Sequence, residues 1–215
     1  MDKTPTRRGV LFVVSAPSGA GKTSLCQRLV AELDDVVQSV SYTTRPPRPG
    51  ERHGREYYFV SREVFRQHVA AGDFLEWAEV HGEWYGTSRQ QVEAATHAGK
   101  DVLLAIDVQG AAQLRAAGLD AVFVFVLPPS WEVLRARLQQ RGSESPAAVA
   151  RRLAVARQEL AHYTEYDYVV VNDELAKAVA VLRAIVVAER HRVRRVGCAL
   201  VSGLLQAATP ATEDG

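Results

Sequence analysis

The segment Ala16-Pro17-Ser18-Gly19-Ala20-Gly21-Lys22-Thr23 leaves this chain few folds to choose from. Ahead of it runs Val10-Leu11-Phe12-Val13-Val14, apolar at every position and rich in β-branched residues, which predicts a strand buried on both faces as in a parallel sheet under helices. Behind it, from Thr23 onward, Leu25, Leu29 and Leu33 recur at helical spacing. A glycine-rich loop between strand and helix is the setting in which a Walker A pattern has a mechanism. Glycines let successive backbone N–H groups turn inward around phosphate oxygens, and the helix N-terminus adds its dipole. Lys22 would reach the β and γ phosphates of ATP, and Thr23 would offer its hydroxyl to Mg²⁺. All eight residues from Ala16 to Thr23 are candidate ATP contacts, although position 16 holds Ala where the general pattern has Gly.

Further buried strands are predicted over 102–106, 122–127 and 168–171, separated by helical stretches, and that alternation implies an α/β fold with a central parallel sheet. A chain of 215 residues, 47% hydrophobic, can bury one substantial core and still carry smaller insertions. Residues 41–98 read as one insertion: Pro46, Pro47 and Pro49 stand beside Gly50 and Gly54, and aromatic residues from Tyr57 to Tyr85 follow on short strands. Inside it, Ser61 is predicted to cap a helix through Phe65 and Val69, and Ser88 with Gln91 to form a capping box for the next. A second insertion is expected at 137–152, where Ser145-Pro146 starts a helix with Val149, Leu153, Ala156 and Leu160 on one face. The core is then 1–40, 99–136 and 153–208. The last long helix passes Leu175, Leu182 and Val186 and ends in Arg190-His191-Arg192-Val193-Arg194-Arg195, a basic run that reads as a solvated face. Residues 209–215 are expected to be a disordered tail.

A net charge of +1 sets up no overall field toward nucleic acid or an acidic membrane, so neither is expected as a partner. Cys26 and Cys198 belong to no Cys-x-x-Cys or Cys/His spacing, and the six histidines show no metal spacing. The opening Met-Asp-Lys-Thr-Pro-Thr-Arg-Arg precedes no apolar stretch long enough for a signal peptide, and no apolar run reaches the ~18 residues of a membrane span. A reducing cytoplasm is the expected location.

A phosphate loop alone does not choose among an ATPase, a GTPase and a small-molecule kinase. The inserted segments do choose. Ser41-Tyr42-Thr43-Thr44-Arg45-Pro46-Pro47-Arg48-Pro49-Gly50-Glu51, then Tyr57, Phe74-Leu75-Glu76-Trp77-Ala78-Glu79 and Tyr85-Gly86-Thr87-Ser88 closely resemble the guanylate kinase family. So do Ile106-Asp107-Val108-Gln109-Gly110, Arg141-Gly142 and Val169-Val170-Val171-Asn172-Asp173. The resemblance runs from Val10 to about Arg192. It implies a P-loop kinase three-layer fold with an inserted NMP-binding subdomain and a short helical lid, and transfer of a phosphoryl group from ATP to GMP.

The same resemblance implies that Ser41, Arg45, Arg48, Tyr57, Tyr85 and Thr87 surround GMP, with Glu76 and Asp107 completing that side. Chemistry agrees with it. Two planar arginines in a proline-stiffened segment can meet one phosphate with little rotamer freedom to lose, and tyrosine hydroxyls can finish the shell. Guanine presents N1–H and its 2-amino group side by side, so a carboxylate such as Glu76 can accept both, a donor pair adenine lacks. For the lid the resemblance points to Arg137, Arg141 and Arg152, with Arg137 and Arg141 four apart on one helix face, and near the adenine of ATP to Asn172. An anionic acceptor needs no general base, which fits the absence of any motif-placed histidine. Catalysis is expected from Lys22, Arg45, the lid arginines and Mg²⁺, held by Thr23 and by Asp107 through water. Many family members carry an acid two residues before this Asp, where Ala105 stands here, so Asp107 is alone at its strand end. Two rival readings are a kinase for another small acceptor and a noncatalytic module that binds phosphorylated proteins. Oligomeric state is undecided by the sequence.

Overall fold

A computed structural model of the chain describes residues 7–80, 82–140, 146–195, 201 and 205. Strand β1 (Leu11–Ser15) leads through the glycine loop into α1 (Lys22–Glu32), then β2 (Val36–Gln38), β3 (Tyr42–Thr43) and β4 (Tyr58–Phe59). Helix α2 (Arg62–Ala71), β5 (Phe74–Val80), β6 (Glu83–Ser88) and α3 (Arg89–His97) follow, then β7 (Asp101–Ala105), α4 (Val108–Ala116) and β8 (Ala121–Leu127). Helices α5 (Trp131–Gln140) and α6 (Pro146–Leu160), a 3₁₀ turn (Ala161–Glu165), β9 (Tyr168–Val171) and α7 (Leu175–Arg190) close the order.

Five strands form one sheet in the order β2-β7-β1-β8-β9, every neighbouring pair parallel. Because successive side chains alternate faces, β1 sends Phe12 and Val14 one way and Leu11 and Val13 the other. On the first side they meet Leu25 and Leu29 of α1 and Val179, Leu182 and Val186 of α7. On the second they meet Val92 of α3 and Ala111 and Leu114 of α4. Helices thus cover both faces of a central parallel sheet, as the unbroken apolar runs predict. Phe12, Leu25 and Leu182 are fully buried, each worth about 1.5–3 kcal/mol over an exposed side chain. Phe12→Ala, which leaves a void at the sheet centre, would cost about 3–5 kcal/mol.

The second sheet, β4-β3-β6-β5, has a core of rings: Phe65 of α2 lies 4.8 Å from Phe74 and 5.7 Å from Trp84. The predicted caps are present, Ser61 Oγ accepting from the Val64 N–H at 3.2 Å and Ser88 Oγ from the Gln91 N–H at 3.4 Å. Val149, Leu153 and Ala156 of α6 pack on Leu134 and Leu138 of α5, while Leu160 is half-buried. Among the described residues no helix is long and apolar enough to cross a membrane. The expected tail at 209–215 lies outside the described residues.

Two expectations are corrected. Strand β2 was not foreseen, because three residues after Asp34-Asp35 carry too little pattern to separate strand from turn. The basic run is solvent-exposed from His191 to Arg194, as expected, but its two ends, Arg190 and Arg195, are drawn into ion pairs, and α7 ends at Arg190. Arg190 Nε donates to Asp101 Oδ2 at 2.6 Å and its Nη2 to Asp35 Oδ1 at 2.7 Å. Arg7 Nη1 and the Val10 N–H both donate to Asp101 Oδ1, at 2.6 and 2.8 Å. A carboxylate with no solvent exposure needs such partners, and the arginines supply them. Arg192 and Arg195 reach the buried Glu189, and Arg194 and Arg195 also reach Asp120.

Candidate functional site

Where β1 and β7 end, a cavity of about 830 Å³ opens between the two sheets. One wall is the glycine loop. Gly19 and Gly21 have φ of +90° and +88°, which side chains rarely tolerate, and a Cβ on Gly21 would sit 2.3 Å from Asn172 Nδ2. Asn172 donates to the Ala20 carbonyl at 2.8 Å, so it buttresses the loop from the end of β9. No side chain caps α1, so its first amides are left for an anion. Lys22, on the first residue of that helix, donates to the Ile106 carbonyl at 2.5 Å. Burial pulls its pKa below the ordinary lysine value, against the opposing charges of Asp107, Glu159 and Glu76. Burial likewise raises the Cys26 thiol to about 12, so it stays a thiol.

Glu159 of α6 accepts from the Ser18 N–H at 3.2 Å, placing a carboxylate on the loop. Desolvation raises its pKa, opposed by that hydrogen bond and by Lys22. Nothing in the sequence marks this residue, because its partner lies 141 positions away. Asp107 ends the β7 connection and caps α4, its Oδ1 accepting from the Gly110 N–H at 2.9 Å and its Oδ2 from Gln109 Nε2 at 3.1 Å.

The opposite wall comes from the second sheet. Arg45 lies between rings, its guanidinium 5.4 Å from the centre of Tyr57 and 5.7 Å from that of Phe59. Its fork is bidentate on Glu51, both bonds at 2.9 Å, and Glu51 also accepts from the Arg48 N–H at 2.7 Å. Glu51 folds the proline segment back on itself; it stood in the matched motif without a role. Tyr57 and Tyr85 meet edge to face at 5.9 Å, and desolvation raises the Tyr57 phenol. Glu76, on β5, is 5% exposed and accepts from Thr87 Oγ1 of β6 at 2.5 Å. Burial lifts its pKa to about 7; the Thr87 bond and Lys22 pull it down, and the Asp107 charge adds to the rise.

Thus Ala16, Pro17, Ser18, Gly19, Gly21, Lys22 and Thr23 share a cavity wall with Ser41, Arg45, Arg48, Tyr57, Glu76, Tyr85 and Asp107. Ala20 and Thr87 are fully buried behind it. Arg137 points at β9, its Nη2 donating to the Asn172 carbonyl at 3.1 Å, while its Nη1 is buried with no hydrogen-bond partner. Arg152 is half-buried on α6 and not on the cavity wall. Arg141 lies outside the described residues. Among the described residues no three His, Cys, Asp or Glu side chains are grouped to hold a metal.

A family model described as guanylate kinase matches residues 8–189. A guanylate kinase of Symbiobacterium thermophilum is 55% identical over 93% of this chain and 94% of its own, and one of Geobacter sulfurreducens 48% over 88% and 94%. Among solved structures, guanylate kinase from Anaplasma phagocytophilum superposes with a TM-score of 0.77 at 35% identity, covering 96% of this chain and 97% of the other.

Proposed function

The chain belongs to the guanylate kinase family, and from that premise we propose that it transfers the γ-phosphoryl group of ATP to the phosphate of GMP, giving ADP and GDP. The observation that carries this reading is one cavity whose phosphate-loop wall faces a wall of Arg45, Tyr57 and the buried Glu76. ATP enters with its polyphosphate on the loop amides and Lys22. GMP enters opposite, its phosphate on Arg45 and Arg48 with the Tyr57 and Tyr85 hydroxyls, its base edge on Glu76. Ser41 completes the base side, and Thr87 holds one oxygen of Glu76. dGMP is expected to serve as well.

The acceptor oxygen is already anionic, so no residue has to remove a proton before attack. The chain's contribution is to bring acceptor and donor into line and to offset charge on the transferring group with Lys22 and Arg45, which lowers the barrier without covalent chemistry. Arg137 supports the lid reading because one of its nitrogens is desolvated without a partner, a state a bound phosphate would relieve; Arg141 and Arg152 belong to the same reading. Asn172 acts through the loop it braces.

The donor set fits Mg²⁺, which takes one or two protein oxygens and fills the rest of its shell with phosphate and water. Thr23 would hold it with Asp107 through water, and a bound Mg²⁺ would supply positive charge offsetting that of the donor phosphates. With Ala105 in place of an acid, one carboxylate serves where relatives can use two. The reading also takes the cytoplasm as location and assigns no nucleic-acid or membrane partner. ADP release measured with GMP, dGMP, AMP, UMP and dTMP in turn, with and without Mg²⁺, tests it: turnover confined to the guanine nucleotides and lost without Mg²⁺ is expected. Equal turnover of AMP would overturn it.

A further inference from the structure

Helix α4 backs the strand that carries the base-reading carboxylate through two residues, Gly110 against Glu76 itself and Gln113 against the neighbouring Trp77 backbone. Strand β5 is the outer strand of the second sheet, so one side of it has no strand partner. Gln113 covers that side. Its Nε2 donates to the Trp77 carbonyl at 2.7 Å and its Oε1 accepts from the Trp77 N–H at 3.2 Å, so one side chain pairs with the strand at both main-chain groups. Trp77 directly follows Glu76. One helical turn earlier, Gly110 faces Glu76 itself: a Cβ there would stand 2.3 Å from Glu76 Oε2 and 3.0 Å from Cδ. The carboxylate therefore lies against bare helix backbone on one side while Thr87 holds its other oxygen.

Accepting two neighbouring donors on a purine edge demands that both carboxylate oxygens lie in the base plane. A buried side chain at a sheet edge, beside a register shift between Phe74 and Glu76, does not hold such a plane unaided. We propose that Gly110 and Gln113 are positioning residues for base selection: Gln113 fixes the β5 backbone at Trp77, and Gly110 leaves the space in which the Glu76 carboxylate is held flat. This rests on the reading of Glu76 as the acceptor of guanine N1–H and its 2-amino group.

The test is the ratio of kcat/KM for GMP to that for IMP, which is the same nucleotide without the 2-amino group, at saturating ATP and pH 8, where Glu76 is ionised. Gln113→Met keeps the length of the side chain and removes both hydrogen bonds. Gly110→Ala keeps the N–H that Asp107 accepts and improves helix propensity, so a loss there is not unravelling of α4. Each is expected to lower the ratio about tenfold, in line with the cost of misplacing a group by a fraction of an ångström, with KM for ATP within about twofold of the parent. Thermal unfolding confirms that each variant is folded. Glu76→Gln is the control. If it abolishes the ratio while both variants keep it, or if a variant lowers GMP and IMP turnover equally, the positioning role is wrong for that residue. If Glu76→Gln keeps the ratio, the reading of Glu76 fails, and the proposal with it.

Discussion

The two walls of the cleft are made of different material. The wall proposed for the donor is main chain, a loop of eight consecutive residues whose shape is braced by Asn172, Glu159 and the Lys22 contact to Ile106. The wall proposed for the acceptor is side chain, drawn from β3 to β6 and the proline segment, and held by side-chain pairs such as Arg45 with Glu51 and Thr87 with Glu76. A main-chain cradle binds what all triphosphates share. A side-chain pocket can distinguish one base from another, at the cost of depending on many separately placed groups.

If that contrast is right, Lys22→Ala damages the step common to all acceptors. kcat should fall about 10²–10³-fold with the Tm unchanged or raised, because a buried ammonium is unfavourable to the fold. A kcat within tenfold of the parent, measured by ADP release, would break the comparison. Arg190→Ala belongs to neither wall. It removes a partner from the buried Asp101 and should cost about 3 kcal/mol in urea unfolding, while kcat of the folded enzyme is unchanged.

Arg45→Ala should lower kcat/KM for GMP about 10- to 100-fold, the worth of one or two charge-assisted hydrogen bonds, and leave KM for ATP alone. A parallel rise in KM for ATP would show the walls are not separate. The acid–base behaviour of Glu76 gives a smaller effect. Its carboxyl must be ionised to accept from guanine, so kcat/KM for GMP should rise with pH until about 7, nearly tenfold per unit well below it, and then level off. Its pKa is raised in the fold, so its contribution to stability has the opposite sign. It is full below the ordinary carboxyl value and is lost as pH climbs through about 7, and Glu76→Gln should flatten that part of the unfolding curve. Smallest is Glu159→Gln, which keeps an acceptor for the Ser18 N–H and removes a charge beside the polyphosphate. KM for ATP should drop about threefold, and an increase would show that the charge organises the loop.

How much of this was legible in the sequence follows the same division. The donor wall is contiguous, so eight residues and their flanking periodicities placed it. Four core strands were visible as apolar runs, but only β1, β7 and β8 are buried on both faces; β9 leaves Val169 and Val171 exposed, and β2 was too short to show. The acceptor residues could be named only through resemblance to a family, since their spacing has no local rule. Glu51, Glu159, Gly110 and Gln113 escaped notice as contributors for one reason: their roles depend on tertiary partners. The partial burial of Arg190 at the head of the basic run was not legible because charge patterning says nothing of an acid, Asp101, that lies 89 residues away.

Arg7 and Arg190 grip opposite oxygens of the Asp101 carboxylate, at the start of a strand whose far end opens on the cleft. The first and last helix-and-strand segments therefore meet about 15 Å below the chemistry, by strand rise alone. A linker sewn between those two arginines, with new termini cut elsewhere on the surface, should yield a rearranged chain that still turns over, and cargo fused at either place would hang clear of both nucleotides.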